Sequence, residues 1–311
     1  MKKVLLIVLI GIVTVIVGGV MLVISLNKSD KESIVTTTHD LESEFSDISI
    51  NVATANVEIK VGEKAQVECE EKEKSPFTVE IENNELRIAK ENNEKWYEKI
   101  LTFGFKNEKV TIYLTQKEYG KLMVNASTGS ITSQNSLTFS SINLSISTSH
   151  ISLKENAKEE LKISGSTGKI DIKDSEYDTI NIENSTGDIN IENVKTTGNI
   201  NIALSTGDVS LNSIDTKDLR VHTTTGDITL SSVLCEDLKL DASTGKIKFE
   251  KTDCTNATLE TSTGNISGSF KTPKIIFATT STGKIKVDES TIGAKCTAKT
   301  STGNIEITFE N

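Results

Sequence analysis

The chain has 311 residues, enough for one large domain or two of ordinary size. Its formal net charge is -10 and its only arginines are Arg87 and Arg220, which excludes the clustered cations of a nucleic-acid-binding surface. With 2 prolines and 5% aromatic residues, the composition also excludes collagen-like and proline-rich structures.

An uncharged apolar stretch opens the chain. Residues 4–26 carry no charge, and a helix of that length reaches about 35 Å, enough to cross a bilayer. Lys2 and Lys3 precede it, which places the N-terminus in the cytoplasm. A cleaved signal peptide is the alternative, although its apolar region is usually only about 7–15 residues. We therefore expect residues 1–26 to be a cytoplasmic tip and a single-pass transmembrane signal anchor, with the bulk of the chain extracellular.

The region before the repeats divides into two parts. Residues 27–39 are polar and predict a tether, with an undetected first strand as the alternative. Residues 40–126 contain alternating apolar and polar runs and an Asn83-Asn84 step typical of a turn. Within them, residues 91–105 are the richest in aromatic side chains and predict a hydrophobic plug or, alternatively, a binding surface. We expect residues 40–126 to form a β-rich N-terminal cap, because the end of a repeat stack needs covering.

An internal repeat fills residues 127–311. A Ser/Thr-Thr-Gly motif recurs every 19 or 20 residues, and only the unit at Ser147 lacks the glycine. Glycine can take the positive φ of a sharp turn, and the preceding hydroxyls can cap backbone groups, so the motif indicates a structural corner. A phosphate-binding loop is excluded because no Lys-Ser/Thr pair closes the motif. The predicted turn glycines are Gly129, Gly168, Gly187, Gly207, Gly226, Gly245, Gly264, Gly283 and Gly303.

Each repeat unit alternates with a period of two, which predicts strands. Apolar residues stand two and four positions after the glycine, as at Ile170 and Ile172. Stacking the units about 4.8 Å apart joins these apolar faces into one core. We therefore predict an all-β fold, a right-handed parallel β-solenoid of about ten 19–20-residue coils, with the hand taken from the general crossover preference. Because the chain stops directly after a strand, we expect an uncapped C-terminal coil that can associate end to end with a second copy or bind another protein. The alternative is that its acidic residues prevent such strand pairing.

Two cysteines occupy equivalent positions in adjacent units. Stacking would place the Cα atoms of Cys235 and Cys254 within the range of a disulfide, and an extracellular location permits oxidation. Buried free thiols are the alternative. Cys69 and Cys296 are far apart in the predicted layout and are expected in the core, and no CxxC motif or histidine pair suggests zinc.

Three carboxylates follow the corner glycine in consecutive units. Asp188, Asp208 and Asp227 form a weak candidate Ca²⁺ ladder, although the glycine-rich calcium repeat is missing and a solvated acidic face is favoured. Threonine pairs such as Thr223 and Thr225 resemble ice-binding arrays, but threonine is common in strands for other reasons. We predict no other metal, no cofactor and no catalytic residue.

A longer pattern resembles a known family. The segment VTIYLTQKEYGKLMVNASTGSI, followed by iterated STGxIxI units behind an N-terminal anchor, resembles the LiaG-like "putative adhesin" family, a domain of unknown function in Gram-positive bacterial envelopes. The resemblance covers residues 40–311, and Thr115-Gln116 replaces the proline that usually follows the family's KVTIYL-type strand. It implies a surface β-solenoid, sometimes linked with envelope-stress operons, and it supplies no ligand.

These observations favour a non-enzymatic, membrane-anchored cell-surface solenoid that binds or scaffolds an envelope protein or polysaccharide. One alternative is an accessory of an envelope-stress signalling system that acts through membrane-protein contacts. Another is a polysaccharide-cleaving enzyme, which would need clustered carboxylates beside a cation in a groove, and Arg220 is the only arginine in the repeats.

Overall fold

Strands account for all the regular structure in the described part of the chain. A computed structural model describes residues 33–90, 108–116, 118–133 and 137–310. Within these ranges every element is a β-strand, and no helix there is long and apolar enough to cross a membrane. The expected anchor at residues 4–26 and the aromatic segment at residues 91–105 lie outside the described residues.

The strands follow one another with short connections, and several bend through a corner without interruption. In chain order they are β1 (Ile34–Asp40), β2 (Asp47–Val61), β3 (Gln66–Lys72), β4 (Thr78–Glu82), β5 (Glu85–Ala89), β6 (Glu108–Leu114), β7 (Glu118–Ser133), β8 (Thr138–Leu153), β9 (Asn156–Thr167), β10 (Ile170–Thr186), β11 (Ile189–Thr196), β12 (Asn199–Thr206), β13 (Val209–Asp215), β14 (Asp218–Thr225), β15 (Ile228–Thr244), β16 (Ile247–Thr263), β17 (Ile266–Phe270), β18 (Lys274–Thr282), β19 (Ile285–Val287), β20 (Ala294–Thr302) and β21 (Ile305–Phe309).

Parallel pairing in register turns the repeat into a solenoid. The β-branched residue two positions after each corner pairs with its equivalent in the next coil, as Ile170 does with Ile189 and Ile189 with Val209. The chain makes about nine turns, which confirms the predicted all-β parallel solenoid. The side chains of these columns are removed from water and form one continuous core. Members of the column that are 0% exposed include Ile151, Ile170, Ile189, Val209, Ile228, Ile247, Ile266 and Ile305.

The solenoid begins earlier than the repeat motif indicates. Strand β2 pairs in parallel with β7 on one side and with β5 and β6 on the other, so it is a coil within the stack. Its corner places Thr54 opposite Thr128, but Ala55 stands where the repeats have glycine. The 19-residue phase is therefore invisible in a region expected to be wholly cap. Residues 34–40 also differ from the expected tether, because they form β1, the alternative considered above.

An antiparallel cap covers the N-terminal end of the stack. The end coil there consists of β5 and β6, which lie on the two halves of β2. Strand β4 pairs antiparallel with β5, β3 pairs antiparallel with β6, and β1 pairs antiparallel with β3. Both β5 and β6 thus have a strand neighbour on each side.

At the other end, the order of the stack departs from the order of the chain. Strand β20 pairs with β16 on one side and with β18 on the other, and β21 lies likewise between β17 and β19. The last coil of the chain is therefore the penultimate coil of the stack, and the expectation of an open edge at the C-terminal coil is wrong. Because the units at Ser281 and Ser301 carry the same motif, their sequences do not reveal which one lies outermost.

Candidate functional site

The glycine corners are imposed by backbone geometry. Gly226 has a φ of 147°, a conformation that residues with a Cβ rarely adopt. A Cβ at this position would lie 1.8 Å from the carbonyl oxygen of Gly207 in the neighbouring coil. Because the coils approach so closely, the corner has room for a backbone and nothing more. The other eight turn glycines have φ values between 122° and 157°.

Five consecutive coils have a second corner that the repeat motif does not indicate. Five residues spaced 19 or 20 apart share a left-handed conformation with φ between 50° and 56° although none is glycine. Asparagine and aspartate tolerate this conformation because their short polar side chains bond locally, and Asn193 donates to Asp174 Oδ1 at 2.9 Å. The recurring Asp, Asn or Ser at this offset was the available signal. The residues are Asp174, Asn193, Ser213, Ser232 and Lys251.

The aspartate ladder caps backbone groups at the glycine corner. The N–H of Asp208 donates to Asp188 Oδ1 at 3.0 Å, that of Asp227 to Asp208 Oδ1 at 2.8 Å, and that of Lys246 to Asp227 Oδ1 at 2.7 Å. Each carboxylate therefore satisfies a donor of the next coil, which accounts for an acidic or amide residue at this position without a metal. In the described ranges, no three histidine, cysteine or acidic side chains are grouped as metal ligands.

The inner threonines of the Thr-x-Thr pairs also serve the corner. Thr261 Oγ1 donates to the carbonyl of Gly245 at 3.0 Å, and Thr300 Oγ1 donates to that of Gly264 at the same distance. These side chains point into the coil and are nearly inaccessible to water. A flat threonine array of the ice-binding kind would need both members of each pair on the surface.

Cys235 and Cys254 lie side by side in adjacent coils. They are register partners, and both thiols are free. They continue an inward column that holds Thr196 and Thr216 in the preceding coils, where Thr196 Oγ1 donates to Thr216 Oγ1 at 2.6 Å. The hydrogen bond between the two thiols lowers the pKa of Cys254 and raises the pKa of Cys235, so Cys254 is the more acidic thiol of the pair.

A buried lysine lies beside the cysteine pair. Lys274 is 2% exposed, and its ammonium bonds Asp253 Oδ1 at 2.7 Å and Thr272 Oγ1 at 2.6 Å. Burial opposes ionisation of Asp253, but the bonds from Lys274 and Thr272 outweigh it and lower the pKa of the carboxyl. Together with Cys235 and Cys254 these residues border a cleft of roughly 450 Å³. The ion pair spans the corner where the chain leaves β17 for the outermost coil.

One outer face of the solenoid carries a row of hydrogen-bonding side chains. Register pairing aligns Asn181, Asn201, Arg220 and Lys239 in four successive coils. A parallel row consists of Glu183, Ala203, His222 and Asp241, and a shallow cleft of roughly 370 Å³ lies between the rows. Amide and cationic donors on one side of the cleft and carboxylate acceptors on the other suit a hydroxyl-rich polymer laid along the stack. Sequence order alone did not reveal the rows, because their members lie 19 or 20 residues apart.

Comparisons with known proteins identify one family and several distantly similar crystal structures. A family model described as Toastrack DUF4097 matches residues 45–203 and 197–311. No curated protein matches the chain. A crystal structure described as a "putative adhesin" from Parabacteroides merdae ATCC 43184 is 12% identical, with a TM-score of 0.44 over 90% of this chain and 97% of that one.

Two further crystal structures are similarly distant. A "putative lipid binding protein" from Parabacteroides distasonis ATCC 8503 is 15% identical, with a TM-score of 0.39 over 89% of this chain and 97% of that one. A "putative cell adhesion protein" from Clostridium sporogenes ATCC 15579 is 13% identical, with a TM-score of 0.22 over 89% of this chain and 100% of that one. At these TM-scores the similarity carries no argument about function.

Proposed function

The chain belongs to the Toastrack DUF4097 family, and from this premise we propose that it is a non-enzymatic, membrane-anchored cell-surface solenoid that binds or scaffolds envelope components. The anchor is residues 4–26, with the N-terminus in the cytoplasm and the solenoid outside. The segment VTIYLTQKEYGKLMVNASTGSI supports the narrower assignment to the LiaG-like proteins of Gram-positive envelopes. Right-handed winding is proposed on the general crossover preference.

The observation that carries this proposal is the row Asn181, Asn201, Arg220 and Lys239. Its side chains are half-buried or exposed, and they are held at fixed spacing by the strands beneath them. The row supplies amide and cationic donors, and Glu183 and Asp241 on the other side of the cleft supply acceptors, a combination that suits the hydroxyl groups of a sugar polymer. A rigid surface of this kind binds an extended polymer without paying for its own ordering. We therefore favour an envelope polysaccharide as the ligand.

Binding to purified cell wall tests the proposal. The fragment 33–311 contains every described strand, including β1, and is compared on cell-wall and membrane preparations. We expect retention on the wall and a loss of roughly tenfold or more in affinity for the double variant Arg220→Ala/Lys239→Ala. The control is Lys173→Ala/Lys195→Ala, which removes the same charge from other positions. Equal losses in both variants, or no wall binding, would refute the proposal.

The signalling alternative gives a different outcome in the same experiment. An accessory protein that acts through membrane contacts requires its anchor, so fragment 33–311 would bind neither preparation while the full chain in membranes would retain its partner. Binding of the fragment to the wall through the Arg220 row therefore separates the two functions.

A further inference from the structure

The outermost coil at the end opposite the cap has an open backbone edge. Among the described strands, β18 pairs only with β20, and β19 pairs only with β21. The peptide groups on the far side of both strands have no strand neighbour. Such an edge is a template for strand addition unless charges, prolines or a covering element protect it.

Residues of the hydrophobic core columns are exposed to water at the same end. Ile285 is 45% exposed, whereas Ile266 and Ile305 in the same column are 0% exposed. At the next inward position Val287 is half-buried, while Ile307 is fully buried. The end surface therefore presents a section through the hydrophobic core, which is the character of a stable protein interface.

Strand β18 carries little of the protection that edge strands usually have. Residues 275–282 read IIFATTST and contain no charge and no proline. Phe277 is 55% exposed at the centre of this strand. Lys274, at its start, directs its ammonium inward to Asp253. Pro273 and the cations Lys284 and Lys286 flank the strand without interrupting it.

The capped end shows the opposite design. The outer strand there, β4, reads TVEIE, so Glu80 and Glu82 alternate with apolar residues along its free edge. Two such acidic edges repel one another, and the cap therefore offers no comparable surface for self-pairing. A contact that uses β18 on both sides is closed and two-fold, because each copy has one such edge.

We propose that two copies of this chain associate end to end, with β18 pairing antiparallel to the β18 of the second copy about a two-fold axis. Antiparallel self-pairing places inward residues opposite inward residues and joins the two cores across the junction. Phe277 of each copy lies near the axis, and the acidic caps lie at the far ends of the assembly.

The position of this contact relative to the membrane rests on the proposed function, and it makes that function more specific. The described chain begins at Ser33, next to β1 in the cap, so an anchor in residues 4–26 holds the cap end toward the membrane. The β18 edge then faces away from the membrane. Copies on two opposing surfaces meet through this edge, and the solenoid becomes a homophilic contact between envelopes.

The test measures self-association of fragment 33–311 by sedimentation equilibrium, without any wall component. We expect a dimer whose dissociation constant rises at least roughly tenfold in Phe277→Lys, because the substitution places two like charges next to each other across the paired strands. The matched control is Val61→Lys, which changes a residue of similar exposure, 54%, in a different coil and should leave the dimer intact. A monomer at all concentrations, or equal weakening in both variants, overturns the interface.

A second variant distinguishes the two-fold arrangement from head-to-tail stacking. Phe277→Cys should give a covalent dimer under mild oxidation, and peptide mapping should find residue 277 joined to residue 277. Species larger than dimers, or association that requires Glu80 and Glu82, would refute the two-fold contact. Wall binding is scored separately with the Phe277→Lys variant, so failure of this interface is distinguishable from failure of the proposed function.

Discussion

The two ends of the stack solve the same problem differently. At both ends the terminal coil of the repeat series is intercalated: β2 lies between β5/β6 and β7, and β20 lies between β16 and β18. Each of these two coils is thereby paired on both sides within the sheet. The difference lies in the outermost coils, because β5 and β6 are covered by antiparallel strands while β18 and β19 are not.

Because of this difference, the capped end contributes to the stability of the fold, whereas the open end is available for interaction. Covering strands keep the cap-end core dry, and the buried ion pair between Lys90 and Glu108 lies at the same end. At the open end, apolar side chains in equivalent columns remain exposed to water, so they contribute less to folding and are available to a partner. A solenoid with one capped end can therefore be stable as a monomer and bind a partner through its open end.

The largest loss of stability is expected from a corner glycine in the middle of the stack, and this substitution is the reference for both ends. Gly226→Ala should destabilise the protein by about 4 kcal/mol, because it combines an unfavourable φ with a Cβ placed 1.8 Å from a backbone oxygen. At Gly283 in the open end coil the added Cβ would lie 2.0 Å from the carbonyl oxygen of Gly303, yet Gly283→Ala should cost less, because this coil has a neighbour on one side only and can shift outward. Gly198→Ala is the control, because its Cβ would meet its nearest atom at 3.0 Å. Thermal unfolding measures all three, and equal costs at Gly226 and Gly283 would contradict the proposed freedom of the open end.

A smaller loss of stability is expected from substitutions at the corner that leads into the open end. Asp253→Asn leaves the buried ammonium of Lys274 without its counter-charge and should cost about 2 kcal/mol, less than for a fully buried pair because Asp253 is partly exposed. Glu306→Gln breaks the exposed pair with Lys286 in the same region and should cost less than about 0.5 kcal/mol. Chemical denaturation at neutral pH compares them, and similar costs would show that burial of Lys274 is unimportant.

The same pair predicts a pH dependence. The pKa of Asp253 is lowered from 3.8 in the folded protein, so its contribution is present above that value and is lost as pH falls through the folded pKa. Wild-type protein should lose stability in this acidic window more steeply than Asp253→Asn, in which position 253 no longer titrates. Parallel curves for the two proteins below about pH 4 would contradict this assignment.

The parallel solenoid was predictable because corner glycines and period-two alternation each recur in phase, and either one alone would have indicated strands. The extent of the solenoid was not predictable, because Ala55 replaces the corner glycine of β2. The order of the last coils was not predictable either, since stacking depends on where the chain crosses after Phe270 rather than on the repeat itself. Lys274 and Asp253 lie 21 residues apart and meet only because of that crossing.

Matched truncations compare the two end coils directly. Val110 and Ile285 occupy the same column at opposite ends, and they are 0% and 45% exposed. Val110→Ala should cost about 2 kcal/mol, from lost burial and a residual cavity beneath the cap. Ile285→Ala should cost less than about 1 kcal/mol in the monomer and more at concentrations where dimers form. A concentration-independent cost at Ile285 would argue against the end-to-end contact.

The smallest effect concerns thiol chemistry rather than stability. Cys69 lies at the cap end, where burial, reinforced by Glu71 and Glu68, raises its pKa to about 12, so almost no thiolate forms near pH 8. Near the open end, the bond from Cys235 lowers the pKa of Cys254. Alkylation of the native protein should therefore label Cys254 before Cys69, with little change in melting temperature. Peptide mapping without reductant measures the order, and labelling of Cys69 first, or Cys235 and Cys254 recovered as a disulfide, would contradict the free pair described here.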